Sequence, residues 1–188
     1  MKKYLLFLCT AALISGGILA GCSNTESAVS EITSSAPEVE SLAAASAKDG
    51  WANAASTYEA LDGEAETQAK AINSSNVKET VLEDIDIIVD NIPAIVSASK
   101  SGEITSETEA AAKEIYVSAK TLKTLGDYSA QDVSLYIADI ADDALTMLQN
   151  LYDGLESNVD ARQSECDVNR DRILCFTDEE WAEFAANL

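Results

Sequence analysis

The sequence predicts an all-α protein, an up-down-up-down four-helix bundle followed by a short disulfide-closed loop and a last helix. Apolar residues recur at steps of three and four over four long segments, the period of a helix with one buried face. Three of those segments open on Asn or Ser with an acid three residues later, the spacing of a reciprocal helix cap. No alternating run of β-branched residues bounded by turn chemistry interrupts them.

The chain begins with a different kind of element. Lys2 and Lys3 precede an apolar run from Tyr4 to Ala20, and small residues close it. This is the layout of a cleavable export signal, so residues 1–21 are expected to be removed. The run is shorter than the roughly 20 uninterrupted apolar residues of a spanning helix, and Ser15, Gly16 and Gly17 break it. Its ending, Leu19, Ala20, Gly21 and Cys22, resembles the lipobox of bacterial prolipoproteins. The resemblance implies cleavage between Gly21 and Cys22, a diacylglycerol on the Cys22 thiol and acylation of the new amino terminus. Two or three acyl chains anchor a protein stably, at about 0.8 kcal/mol for each buried methylene. The resemblance therefore implies a lipid-anchored protein on the extracytoplasmic face of the cell membrane or of an outer membrane. Ser23 resembles the residues that permit export to an outer membrane, where Asp would retain the protein at the inner one.

Residues 22–40 are mostly Ser, Thr, Glu, Ala and Pro37, with Val29, Ile32 and Val39 the few residues to bury. That composition reads as a tether. The bundle is expected over residues 41–157. A first helix from about Ser41 to Ile72 carries Trp51, Ala55, Tyr58, Ala65, Ala69 and Ile72 on one face, interrupted by Gly50 and Gly63. Asn76 with Glu79 opens a second, to about Lys100. Its buried face is Leu82, Ile85, Ile88, Val89, Ile92 and Val96, with Glu83, Asp84, Asp86 and Asp90 pointing to solvent. Pro93 lacks the donor that a helix interior needs and should kink it. Ser106 with Glu109 opens the third, with Ile115, Ala119, Leu122 and Leu125 as its stripe and Gly126 as its stop. Ser129 with Asp132 opens the fourth, where Val133, Ile137, Ile140, Ala144, Leu148, Leu151 and Leu155 form the cleanest amphipathic series. Short connections favour antiparallel neighbours. Trp51, Tyr58, Tyr116, Tyr136 and Tyr152 are either core or a ligand-lining set.

Residues 158–188 are expected to form the closed loop and a short helix. Cys9 leaves with the leader and Cys22 takes lipid, so Cys166 and Cys175 remain as an even pair in an oxidising compartment and should form a disulfide. From Asp167 to Asp178, oxygen-bearing residues stand at positions 1, 3, 5 and 12, with Ile173 at 7 and an apolar residue at 8. The segment resembles an EF-hand loop of the dockerin variety. The resemblance implies calcium held by the side chains of Asp167, Asn169, Asp171 and Asp178 and the carbonyl of Ile173. Arg172 stands where that family has Gly, and Arg170 adds a second positive charge. The alternative for the same residues is a polar loop closed by the disulfide without metal. Thr177 with Glu180 begins the last helix, which either docks or exposes Phe176, Trp181 and Phe184.

Composition bounds the chemistry. The chain has 12 Lys and Arg against 33 Asp and Glu, a formal charge of −21, and loss of the leader removes two lysines and no acid. Such a field disfavours nucleic acid and anionic headgroups and points to cations, basic surfaces, a protein partner or none. Histidine is absent from the sequence. That excludes Ser/His/Asp and Cys/His nucleophiles, His-bearing zinc sites, His-ligated haem and Glu/His di-iron bundles. The expected role is not enzymatic: a membrane-anchored binding or structural accessory at the cell envelope. A calcium-responsive module built on the 167–178 loop is the alternative, and a carboxylate-based hydrolase acting on a glycan a third.

Overall fold

A computed structural model describes residues 42–126 and 132–188, with side chains from residue 50 onward. The leader, the tether and the predicted start of the fourth helix at Ser129 lie outside the described residues. Every regular element among those residues is a helix: α1 Leu42–Glu59, α2 Asp62–Ala71, α3 Val77–Ser101, α4 Ser106–Gly126, α5 Asp132–Tyr152, α6 Glu156–Leu174 and α7 Asp178–Ala185. None of them is long and apolar enough to cross a membrane.

The strongest periodic series build the longest helices. Val77, Val81, Ile85, Ile88, Ile92 and Ile95 are buried along α3, and each fully buried Ile contributes about 1.5 to 3 kcal/mol relative to exposure. Leu82, Val89 and Val96, expected on this face, flank it half-buried. The helix runs unbroken through Pro93 and ends at Gly102, whose φ of 72° lets its N–H reach the Ala98 carbonyl at 2.8 Å. On α4, Ile115, Ala119, Leu122 and Leu125 are buried as predicted. Its first turn is held by Thr105, one residue before the expected Ser106, through a hydroxyl that accepts the Thr108 N–H at 3.2 Å. The α5 series is buried from Val133 to Leu151. Gly154, at φ 69°, then turns the chain, so Leu155 leaves the stripe and stands 45 % exposed.

Four corrections to the predicted elements follow. The segment 41–72 is two helices: α1 bends at Gly50, where φ is 53°, and stops at Glu59 before α2 begins. Asn76 does not cap α3. Its side-chain oxygen accepts the Asn73 N–H at 2.7 Å and its amide donates to the Ala71 carbonyl at 3.1 Å, closing the α2–α3 connection. Asp84 does not point to solvent, because it lies three residues after Val81 and four before Ile88 and shares their buried face.

The fourth correction is the largest, because residues 158–174 form no loop. They belong to α6, whose Val159, Cys166 and Ile173, seven residues apart, are each at most 1 % exposed. Arg162 and Asn169 occupy the turns between them, so the helix has almost no apolar stripe. The predicted disulfide is absent, and Cys166 is a buried free thiol while Cys175 is an exposed one. Nine residues of helix separate the two by about 13 Å, and a disulfide needs Cα atoms within about 7 Å.

The helices share one apolar cluster. Helix α3 packs against α4 and α6, and α5 packs against the same two, so α3 to α6 close a ring. Helices α1 and α2 lie outside it, on α5 and α4, while α7 seals α5 and α3 with buried Trp181 and Phe184. The capping box predicted for α7 is present: the Thr177 hydroxyl accepts the Glu180 N–H, and the Glu180 carboxylate accepts the Thr177 N–H at 2.7 Å.

Candidate functional site

Helices α1, α2, α4 and α5 surround a cleft of about 660 Å³. Each wall comes from one helical face. Trp51, Ala55 and Glu59 stand four residues apart on α1, Tyr116, Lys120 and Lys123 one turn apart on α4, and Asp142, Leu145, Thr146 and Gln149 on α5. Asp62, at the start of α2, completes the rim.

Trp51 is positioned by backbone chemistry. The positive φ of Gly50 suits glycine, and a Cβ there would collide with the Asp153 carboxylate. That carboxylate accepts the Trp51 N–H at 2.8 Å and ties the α1 bend to the end of α5. The indole then stacks on Tyr58 at 5.4 Å between centroids, with 19° between the planes. Tyr152 and Tyr116 pack against Tyr58 at 5.8 and 5.3 Å. Four of the five aromatics singled out in the sequence are therefore one cluster. Tyr136 is elsewhere, between Phe176 and the Arg172 guanidinium.

The three phenol hydroxyls of the cluster are all hydrogen-bonded. The Tyr58 and Tyr152 hydroxyls share a hydrogen bond of 2.6 Å, and burial, reinforced by that bond, raises the Tyr58 pKa far above the ordinary tyrosine value. The Tyr116 hydroxyl donates to Asp62 Oδ1 at 2.9 Å, and Lys120 reaches the same oxygen at 3.2 Å while lying over the Tyr116 ring. Burial first, and Asp62 second, raises the Tyr116 pKa. All three phenols stay protonated at physiological pH, as hydrogen-bonding groups and not as bases. Lys123 pairs with Asp142 Oδ1 across the cleft.

A second concavity, about 690 Å³, runs along α3. Glu79, Glu83, Asp86 and Asp90 of α3 and Glu114 of α4 line it, together with Leu82 and Ile87. Arg170 of α6 reaches Asp86 at 3.0 Å, and the Asn91 amide donates to Glu114 at 2.9 Å. No lysine or arginine lines the groove itself.

Two buried carboxylates occupy helix interfaces. Asp84 Oδ1 accepts the Ser118 hydroxyl at 2.9 Å, while Oδ2 has no hydrogen-bond partner. Desolvation pushes this carboxyl up to about 6, against the pull of the Ser118 bond. Asp143 on α5 is raised as well, again by burial, although Arg162 of α6 donates to it at 2.6 Å and opposes the shift.

The residues of the predicted calcium loop are placed otherwise. Asp167, Asn169 and Asp171 ride on α6, where alternate residues point about 200° apart and cannot converge on one ion. Asn169 is buried and its side-chain oxygen faces Arg172, the Ile173 carbonyl accepts the Phe176 N–H at 3.2 Å, and Asp178 pairs with Lys78 at 2.5 Å. Lys78 also holds the Asp178 pKa below the ordinary aspartate value. Among the described residues no group of three or more acidic or Cys side chains is placed to hold a metal. Gly21 and Cys22, the predicted cleavage and lipid sites, lie outside the described residues.

Sequence reasoning missed the charged half of the aromatic cleft. Lys120, Lys123 and Asp142 gave no motif, and the signal that was legible is their spacing: Tyr116, Lys120 and Lys123 share one face of α4 with Thr124 beyond. Comparison with known proteins returned no match, with family models, with curated proteins or with solved structures.

Proposed function

We propose that this chain is a lipoprotein anchored to the cell envelope through Cys22, carrying a helical domain that acts as a binding and structural accessory and not as an enzyme. The domain is an up-down-up-down four-helix bundle of α3 to α6. Support for that architecture is the closed ring these helices form and the short connections between them. The tether would lift the bundle from the bilayer and let it reach a neighbour.

The acidic α3 groove is the observation that carries the binding role. Five carboxylates surround Leu82 and Ile87, in a chain of formal charge −21. A basic, amphipathic protein segment complements both features, with cations meeting the acids and an apolar face covering the two aliphatic side chains. Binding of that kind weakens with salt, since the screening length is about 8 Å at physiological ionic strength.

Two measurements test the reading separately. Metabolic fatty-acid labelling with membrane fractionation is expected to show a labelled, membrane-bound wild type and an unlabelled, released Cys22→Ser variant; a variant that remains membrane-bound refutes anchoring. In-cell crosslinking is expected to capture a basic partner that is lost in a Glu83→Lys, Asp90→Lys variant. Capture of the same partner by wild type and variant refutes the groove.

A further inference from the structure

The geometry points to a second binding site, in the α1–α5 aromatic cleft, for an uncharged saccharide. This inference is independent of the anchor and of the acidic groove. Sugars present two chemistries at once: a ring face of C–H groups and a rim of hydroxyls that both donate and accept. An aromatic plane flanked by fixed donors and acceptors matches both.

The plane is Trp51, which is half-buried and lines the cleft. Its orientation is set by the stack on Tyr58 and by the bond from its backbone N–H to Asp153, so little side-chain freedom is lost when a ring settles on it. The rim is two ion pairs. Lys120 and the Tyr116 hydroxyl both contact Asp62 Oδ1, and Lys123 contacts Asp142 Oδ1. Among the described residues only Oδ1 of each carboxylate is engaged, which leaves its second oxygen as an acceptor, while each ammonium has donors to spare. Each pair therefore presents an acceptor beside a donor, the arrangement that two adjacent hydroxyls require. The exposed Gln149 amide adds one of each.

Charge selects among ligands. An anion meets the chain's net charge of −21 and the carboxylates of the rim. A cation finds Asp62 and Asp142 already paired with Lys120 and Lys123, whose positive charges oppose it beside Glu59, the third acid of the lining. A neutral polyhydroxylated ligand meets neither repulsion, and a cleft of about 660 Å³ falls within the span of small-ligand sites.

The test is a titration of the detergent-solubilised full chain, followed by tryptophan emission, with tetramers of glucose and of N-acetylglucosamine as probes and spermidine and a polygalacturonate fragment as charged comparators. A saturable response to at least one neutral tetramer is expected. Trp51→Ala and Gln149→Ala should each weaken it about tenfold or more, read by calorimetry so that loss of the fluorophore does not decide the result. Trp181→Phe, in the α7 seal, should leave it unchanged. Gln149 is exposed, so its variant keeps the test valid where removal of Trp51 alters the fold. No saturable response to either tetramer, equal or tighter binding of a charged comparator, or sugar binding that survives both cleft substitutions overturns the assignment.

Discussion

Asp84 sits in the α3–α4 interface at 6 % exposure, with one oxygen bonded to Ser118 and the other without a partner. Its carboxyl titrates near 6 when folded and near 3.8 when unfolded. The folded state therefore holds the proton more tightly. The stabilisation supplied by that proton is complete below pH 3.8, falls as the pH rises towards 6, and is gone above it. A gap of this size corresponds to about 3 kcal/mol, at about 1.4 kcal/mol per unit. Asn has the shape of the neutral acid and keeps an oxygen for Ser118. Asp84→Asn is accordingly expected to stabilise the domain by about 3 kcal/mol at about pH 7.5 and by almost nothing at about pH 4. Urea unfolding followed by circular dichroism at a series of pH values measures both. Comparing variant with wild type removes the contribution of Asp143, which is shifted in the same direction, while the repulsion from Glu83 is part of the Asp84 shift and stays in the measured difference. A variant that is no more stable at neutral pH, or an advantage that persists undiminished into acid, refutes the reasoning.

The remaining predictions concern other contacts. Arg162→Ala leaves the Asp143 carboxylate, largely enclosed by α5 and α6, without its donor, and should cost about 1 to 3 kcal/mol in the same urea assay. Gly50→Ala forces a side chain to adopt positive φ and to displace Asp153; a loss of about 1 to 3 kcal/mol is expected, with a changed Trp51 emission spectrum. Maleimide labelling mapped by peptide mass should modify Cys175 in the native protein and Cys166 only after denaturant, because burial pushes the Cys166 thiol up to about 12 and closes access to it. A Cys166–Cys175 crosslink in native protein would contradict the α6 helix itself.

The two cysteines mark where sequence reading ends. An even pair in an exported chain is a sound argument for a disulfide when the intervening residues are free to form a loop, and residues 167–174 are not free. They are helical because Val159, Cys166 and Ile173 recur every seven residues and bury against α3 and α5. That repeat is present in the sequence, but Arg162 and Asn169 fill the positions between, so the pattern does not separate from a polar loop. What makes an arginine tolerable at this half-buried position is Asp143 on another helix, and no local signal reports a partner 19 residues away. Asp84 was misplaced for the same reason, since its charge argued for solvent and Ser118 of the facing helix lets it stay inside.

The amino-acid sequence alone determined the helical class, the core faces of α4 and α5, the Ile85, Ile88 and Ile92 part of that of α3, the Thr177 cap of α7 and the aromatic set from which four rings assemble. These are local properties, written in periodicity and cap chemistry over a few turns. Tertiary structure decided that α6 replaces the predicted first helix in the ring, that the thiols stay apart, and that Lys120, Lys123, Asp62 and Asp142 meet around Trp51. Those outcomes depend on which faces of distant helices come into contact, and the energy of burying a polar side chain is set by a partner that the chain supplies elsewhere.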